Sequence, residues 1–273
     1  MKKIIFLALI AICISVIAPY KTYGADVTVG ATTWFAASEQ YYAQRKGYFI
    51  HDTLVKSNPA FLYGPTLAVR FSRDFNFTFV FLYGTFETAI NDGDYKYKSK
   101  YKRSDSDLAL NYRLGDYFKV FVGMKYLSYD ITPAKTDSWT FKIENKNMDA
   151  HTSYGAGLGL SATYPLTENI FALGTLSGLY LFGKDKVKIE ELDPSTLGKP
   201  TGKTRSVKNS YNEYGINSTL SLAYYIAPAS TVISLGGRFQ YLIADYKKND
   251  IYLDSIKFTI YGVTLTATYT FSI

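Results

Sequence analysis

The stretch Phe75-Asn76-Phe77-Thr78-Phe79-Val80-Phe81-Leu82-Tyr83 carries aromatic residues at every second position. Successive side chains of an extended strand point to opposite faces, so this pattern puts Phe75, Phe77, Phe79, Phe81 and Tyr83 on one face. A helix would scatter the same rings around its axis, so the segment reads as strand. Tyr154-Gly155-Ala156-Gly157-Leu158-Gly159-Leu160-Ser161-Ala162-Thr163-Tyr164 repeats the period with a sharper contrast. One of its faces is apolar, and the other is glycine, serine and threonine.

Working outward, ten segments alternate in this way: about 26–38, 61–72, 75–87, 106–114, 117–129, 153–164, 170–182, 212–226, 231–243 and 256–272. The inward face of 170–182 is ambiguous, and one misread hairpin would make the count eight or twelve. Four links are short and polar, at Ser72–Asp74, Gly115-Asp116, Pro165–Asn169 and Ala227–Ser230. Five are longer and hydrophilic, at about 39–60, 88–105, 130–152, 183–211 and 244–255. Long and short links alternate strictly. A soluble β-sandwich, the competing all-β class, has no reason to sort its links in this way, and its inner faces would both be apolar.

Composition points the same way. The chain has 26 Tyr and 18 Phe against two Trp and eight Pro, and aromatic residues favour half-buried pleated surfaces. At the N-terminus, Lys2 and Lys3 precede an apolar run of about fifteen residues from Ile4 to Ala18, too short to span a bilayer comfortably. Thr22 and Gly24 supply the small residues that a signal peptidase needs. Residues 1–24 are therefore expected to be a secretion signal, with an uncleaved anchor as the alternative, and residues 25–273 the folded domain. Cys13 follows Ile12, not the small residue that lipoprotein processing requires, and it is the sole cysteine. Beyond residue 24 no apolar run approaches twenty residues, which excludes helical membrane spans. The remaining charge of about +4 is spread along the chain and gives no nucleic-acid footprint.

The whole of residues 25–273 resembles bacterial outer-membrane β-barrels in pattern. The final strand carries the resemblance furthest: Tyr261, Val263, Leu265, Ala267, Tyr269, Phe271 and Ile273 form one alternating face at the chain end. That family's last strand is read by the assembly machinery and usually closes on an aromatic residue, whereas Ser272 and Ile273 follow Phe271 here. The resemblance implies a closed antiparallel up-and-down barrel, monomeric, with both termini periplasmic, long loops extracellular and lipid or lipopolysaccharide against its wall. Leu67, Val69, Leu110, Val120, Val122, Leu158, Leu160, Leu220, Leu222, Ile233 and Leu235 are then expected to face lipid. Rims of Phe71, Phe75, Tyr112, Phe118, Tyr164 and Tyr224 at the turn end, and Phe61, Tyr83, Tyr126, Tyr154 and Tyr241 at the loop end, flank them.

The expected inner face holds Arg70, Asn111, Arg113, Lys125, Arg238 and Gln240, with Asp107 and Glu213 as the nearest acids. Two readings stand: a weakly basic, narrow passage favouring small anions or zwitterions, or cations that fill the interior by pairing with acids. At the loop end, Tyr95, Lys96, Tyr97, Lys98, Tyr101 and Lys102 alternate ring with cation, and a hairpin there would present them to a surface ligand. Lys184 to Lys208 is similarly lysine-rich.

Only His51 and His151 are available for histidine chemistry. His151-Thr152-Ser153 resembles the His-x-Ser of outer-membrane phospholipases and lipid A deacylases, in which histidine activates serine. Asp92-Gly93-Asp94 and Asp149-Ala150-His151 together resemble the acid pairs of omptin proteases, although they fall in the second and third outer links, not the second and fourth. The wider motifs of both families are missing, so no catalytic residue is expected. No cofactor or metal is implied either. The expectation is a non-enzymatic barrel, acting as a narrow porin-like channel or structural surface protein. A surface binder and a loop-borne hydrolase are the alternatives.

Overall fold

A computed structural model describes residues 25–44, 53–92, 95–132, 150–193, 199–246 and 253–273. The expected signal segment 1–24 lies outside them. Eleven strands follow in chain order: β1 (Asp26–Gln44), β2 (Thr53–Lys56), β3 (Ala60–Arg70), β4 (Phe75–Asp92), β5 (Tyr95–Leu114), β6 (Phe118–Thr132), β7 (Ala150–Pro165), β8 (Ile170–Asp193), β9 (Lys199–Ile226), β10 (Thr231–Tyr246) and β11 (Leu253–Ser272). β2 is a short addition that pairs with the loop end of β1, from Glu39↔Lys56 to Tyr42↔Thr53. The other ten each pair antiparallel with their chain neighbours, and β11 returns to β1 from Asp26↔Ser272 upward. The sheet is a closed ten-strand barrel. Closure leaves the barrel no unpaired edge, which a wall against hydrocarbon needs because lipid cannot satisfy a free N–H or C=O. Reciprocal bonds between Ala25 and Ile273, at 3.1 and 2.9 Å, place both described chain ends together at the short-turn end.

The short turns are built from local chemistry. Ser72 Oγ accepts from the backbone N–H of Asp74 and of Phe75, and Thr167 Oγ does the same for Asn169 and Ile170. Gly115 sits at φ 71° between β5 and β6, a conformation that a side chain would strain. Pro65 lies within β3, and the β3–β4 ladder breaks between Tyr63↔Tyr83 and Thr66↔Val80, where no proline N–H exists to donate.

The inside–outside assignment follows the alternation in every barrel strand. Leu158, Leu160, Leu220, Leu222, Val263 and Leu265 point outward and are exposed, Leu220 by 71% and Leu158 by 69%. An apolar wall of this extent is unfavourable in water and suited to hydrocarbon. In β8 the odd positions face in, which resolves the ambiguity of 170–182: Leu179 and Leu181 lie inside, and Leu176 and Tyr180 outside.

Two expectations are corrected. The links at 88–105 and 183–211 are largely strand, since the β4–β5 ladder runs to Asp92↔Tyr95 and the β8–β9 ladder to Asp193↔Lys199. Beyond a lipid wall the outward positions no longer need to be apolar, so alternation fades while backbone pairing continues. The inner face is also not uniformly small and polar. Its turn half carries the expected hydroxyls, with Thr28 bonded to Thr270 and Thr32 to Thr266. Its loop half is packed with Trp34, Leu62, Leu82, Phe86, Leu127, Leu181, Leu242, Phe258 and Ile260, all nearly or fully buried. These side chains fill the space that small residues leave open lower down.

Candidate functional site

The interior divides into three levels. At the turn end is a mouth lined by Arg70, Arg113, Lys119 and hydroxyl side chains. Above it, β5, β6 and β10 contribute a belt of charge. Asp105 is 1% exposed and is the hub of that belt: Arg103 Nη2 donates to it at 2.8 Å and Lys125 Nζ at 2.5 Å, while Arg238 lies 3.8 Å away. Asp107, one inward position below, accepts from Lys125 at 2.7 Å and Arg238 at 3.1 Å. Arg238 also donates to Asn217 and lies over the Trp34 ring at 4.7 Å. Arg103 donates to Tyr129 at 2.6 Å and, across the barrel, to Gln240. Buried ions are tolerable only when paired and hydrogen-bonded in this way.

Above the belt is a third level from β7, β8, β9 and β10. His151 Nδ1 lies 2.9 Å from the Tyr211 hydroxyl, and its Nε2 lies 3.2 Å from that of Tyr246. Tyr246 donates to Asp185, which also accepts from Asn209. Ser153 donates to Glu213 at 2.5 Å. Phe258 of β11 packs across against Tyr129 and His151, with ring centroids at 5.4 and 6.1 Å. Gly183 makes room for this level: a Cβ built there would lie 2.0 Å from the Tyr211 ring.

Of the six residues expected to line the lumen, Lys125, Arg238 and Gln240 meet in the belt. Asn111 lies lower, donating to the Asn76 carbonyl and to Thr78. Arg70 and Arg113 stay at the turn end, paired with Asp26 at 3.3 Å and Asp116 at 2.9 Å. Among the expected loop residues, Tyr95, Lys96, Tyr97 and Lys98 lie in β5, but their side chains fall outside the described ones. Tyr101 turns inward, is 2% exposed and stacks on Phe86 at 4.9 Å, whereas Lys102 is exposed on the outer face. Of the described motif residues, His151 bonds to tyrosines and lies 4.0 Å from Asp185, and Ser153 donates to Glu213. His51, Gly93, Asp94 and Asp149 lie outside the described residues.

Sequence reasoning missed Arg103, Asp105, Asp185 and Tyr211, all within stretches taken for loops. Carrying the parity of Asn111, Ala109 and Asp107 two steps further would have placed Asp105 and Arg103 inside.

No protein-family model matches the sequence, and no curated protein is detectably similar to it. Among solved structures, the chain is similar to the outer membrane protease OmpT from Escherichia coli, at 12% identity over 92% of this chain and 98% of that one, with a TM-score of 0.59. The chain has the outer-membrane barrel fold. At that identity the likeness is one of architecture and carries no activity across. The barrel is also similar to the outer membrane protein OprG from Pseudomonas aeruginosa, at 11% identity over 91% and 95% of the two chains, with a TM-score of 0.41. The P. putida toluene transporter TodX matches at 9% identity over 93% and 91%, with a TM-score of 0.35.

Proposed function

We propose that this barrel resides in a bacterial outer membrane as a non-enzymatic surface protein, closed to free passage, with its function at the loop end. The supporting observation is contact between distant walls of the barrel. Arg103 of β5 reaches Gln240 of β10, and Tyr129 of β6 stacks on Phe258 of β11. A lumen crossed by buried, paired side chains is a core, not a water-filled passage. Within this reading residues 1–24 are removed on export, both termini face the periplasm, and the final strand engages the assembly machinery. Lipid and lipopolysaccharide contact the outer wall of a monomer. The exposed Lys102 belongs to the surface that would meet an anionic ligand.

Conductance in planar bilayers tests the proposal: it expects no discrete current steps, and porin-like steps from purified barrel would overturn it. A narrow channel is the second reading, favoured by the hydroxyl-lined turn half and by the concentration of ion pairs at one level. In that case the charged belt would be the gate, and weakening it would produce steps absent from the wild type.

A further inference from the structure

The turn-end mouth contains a cation that has no carboxylate partner among the described residues. Lys119 of β6 faces inward beside Arg113, its antiparallel pair on β5. Both Arg113 and Arg70 lie within Coulombic reach of its ammonium. Two carboxylates at this end are already engaged: Asp26 binds Arg70 and accepts from Ser272 Oγ at 2.6 Å, while Asp116 binds Arg113. Lys119 itself has no carboxylate partner among the described residues. With Arg70 and Arg113 set against Asp26 and Asp116, Lys119 is the cation left in excess at this half-enclosed mouth, and low-dielectric walls concentrate its potential where an incoming group would sit.

We propose that the inner mouth at the turn end is a binding site for a small oxyanion, carboxylate or phosphate, held chiefly by Lys119 with Arg113 and Arg70 beside it. Lys119 supplies an uncommitted ammonium. Arg113 spends its Nε hydrogen on the Gly115 carbonyl and one Nη2 hydrogen on Asp116, so the second Nη2 hydrogen and both on Nη1 remain as donors. Such charge-assisted bonds are the stronger kind, and they do not require the anion to cross the barrel. The site is therefore independent of whether the lumen above it conducts.

The test is titration calorimetry on the full barrel, in a detergent free of phosphate and carboxylate, at fixed low ionic strength. Inorganic phosphate and acetate are titrated separately, so that the two arms identify which oxyanion the site prefers. Saturable binding of at least one is expected. Lys119→Gln should weaken it about tenfold through loss of one charge-assisted bond, and Lys119→Arg should retain it. Absence of saturable binding for both anions, or equal affinity in Lys119→Gln, would overturn the site. If Lys119→Gln does not fold, Asp116→Asn replaces it, on a side chain that is 82% exposed. Freeing Arg113 should then tighten binding severalfold, and unchanged or weaker binding counts against the proposal.

Discussion

Replacing Asp105 by Asn removes one charge from the hub of the belt and leaves the side-chain shape almost unchanged. In the wild type, three cations (Arg103, Lys125 and Arg238) share Asp105 and Asp107. The variant leaves Asp107 as their remaining ion-pair partner, and Asp107 is partly exposed whereas Asp105 is not. Breaking a buried pair by removing one partner costs about 3–5 kcal/mol. Asn still accepts a hydrogen bond, so the lower end, about 3 kcal/mol, is expected, a factor of roughly 100 in the folding equilibrium. Trp34 provides the readout because Arg238 lies on its ring, and Trp139→Phe removes the other indole. In that background, urea titration followed by fluorescence should show a lower midpoint for Asp105→Asn and a changed native emission. Adding Lys125→Met should recover part of the loss, because it removes the cation left without its partner. A loss below about 1 kcal/mol, or no recovery in the double variant, would refute the claim that the belt is a coupled buried network.

Three other outcomes test separate parts of the structure. Glu213→Gln should leave stability within about 1 kcal/mol of wild type, since the amide oxygen still accepts from Ser153 and a buried carboxylate is replaced by a neutral group; the urea midpoint measures this. Gly183→Val should cost about 1–3 kcal/mol by driving a side chain into the Tyr211 ring, visible as a lower melting temperature by circular dichroism. On the outer wall, Leu158→Arg should cost roughly 2–4 kcal/mol when the barrel is refolded into lipid vesicles, if that leucine lies near the bilayer centre.

Much of the architecture was legible because a lipid-facing barrel imposes period two on its sequence. Phe75 to Tyr83 and Tyr154 to Tyr164 announce their faces, and Ser72 and Gly115 mark turns through chemistry that is entirely local. Arg238 and Gln240 were legible as inward residues for the same reason. Parity says only whether a side chain points in. It does not say which residue from a distant wall it meets, because that depends on how strands far apart in sequence are staggered around the closed sheet. Asp105 is 133 residues from Arg238, yet their contact depends only on closure and stagger. The ends of the strands were lost for a related reason: above the lipid band the outer positions of β5 and β8 become polar, so Arg103, Asp105 and Asp185 look like loop residues until the backbone ladder is seen to continue past them. The sequence by itself therefore determined an up-and-down barrel of about ten strands and the inward side chains of its clearly alternating segments, but not the inward face of 170–182 or the inward turn of Tyr101, Arg103, Asp105, Asp185 and Tyr211. The tertiary structure alone decided that inward side chains meet across the barrel, because that meeting depends on distances between walls that no local pattern encodes.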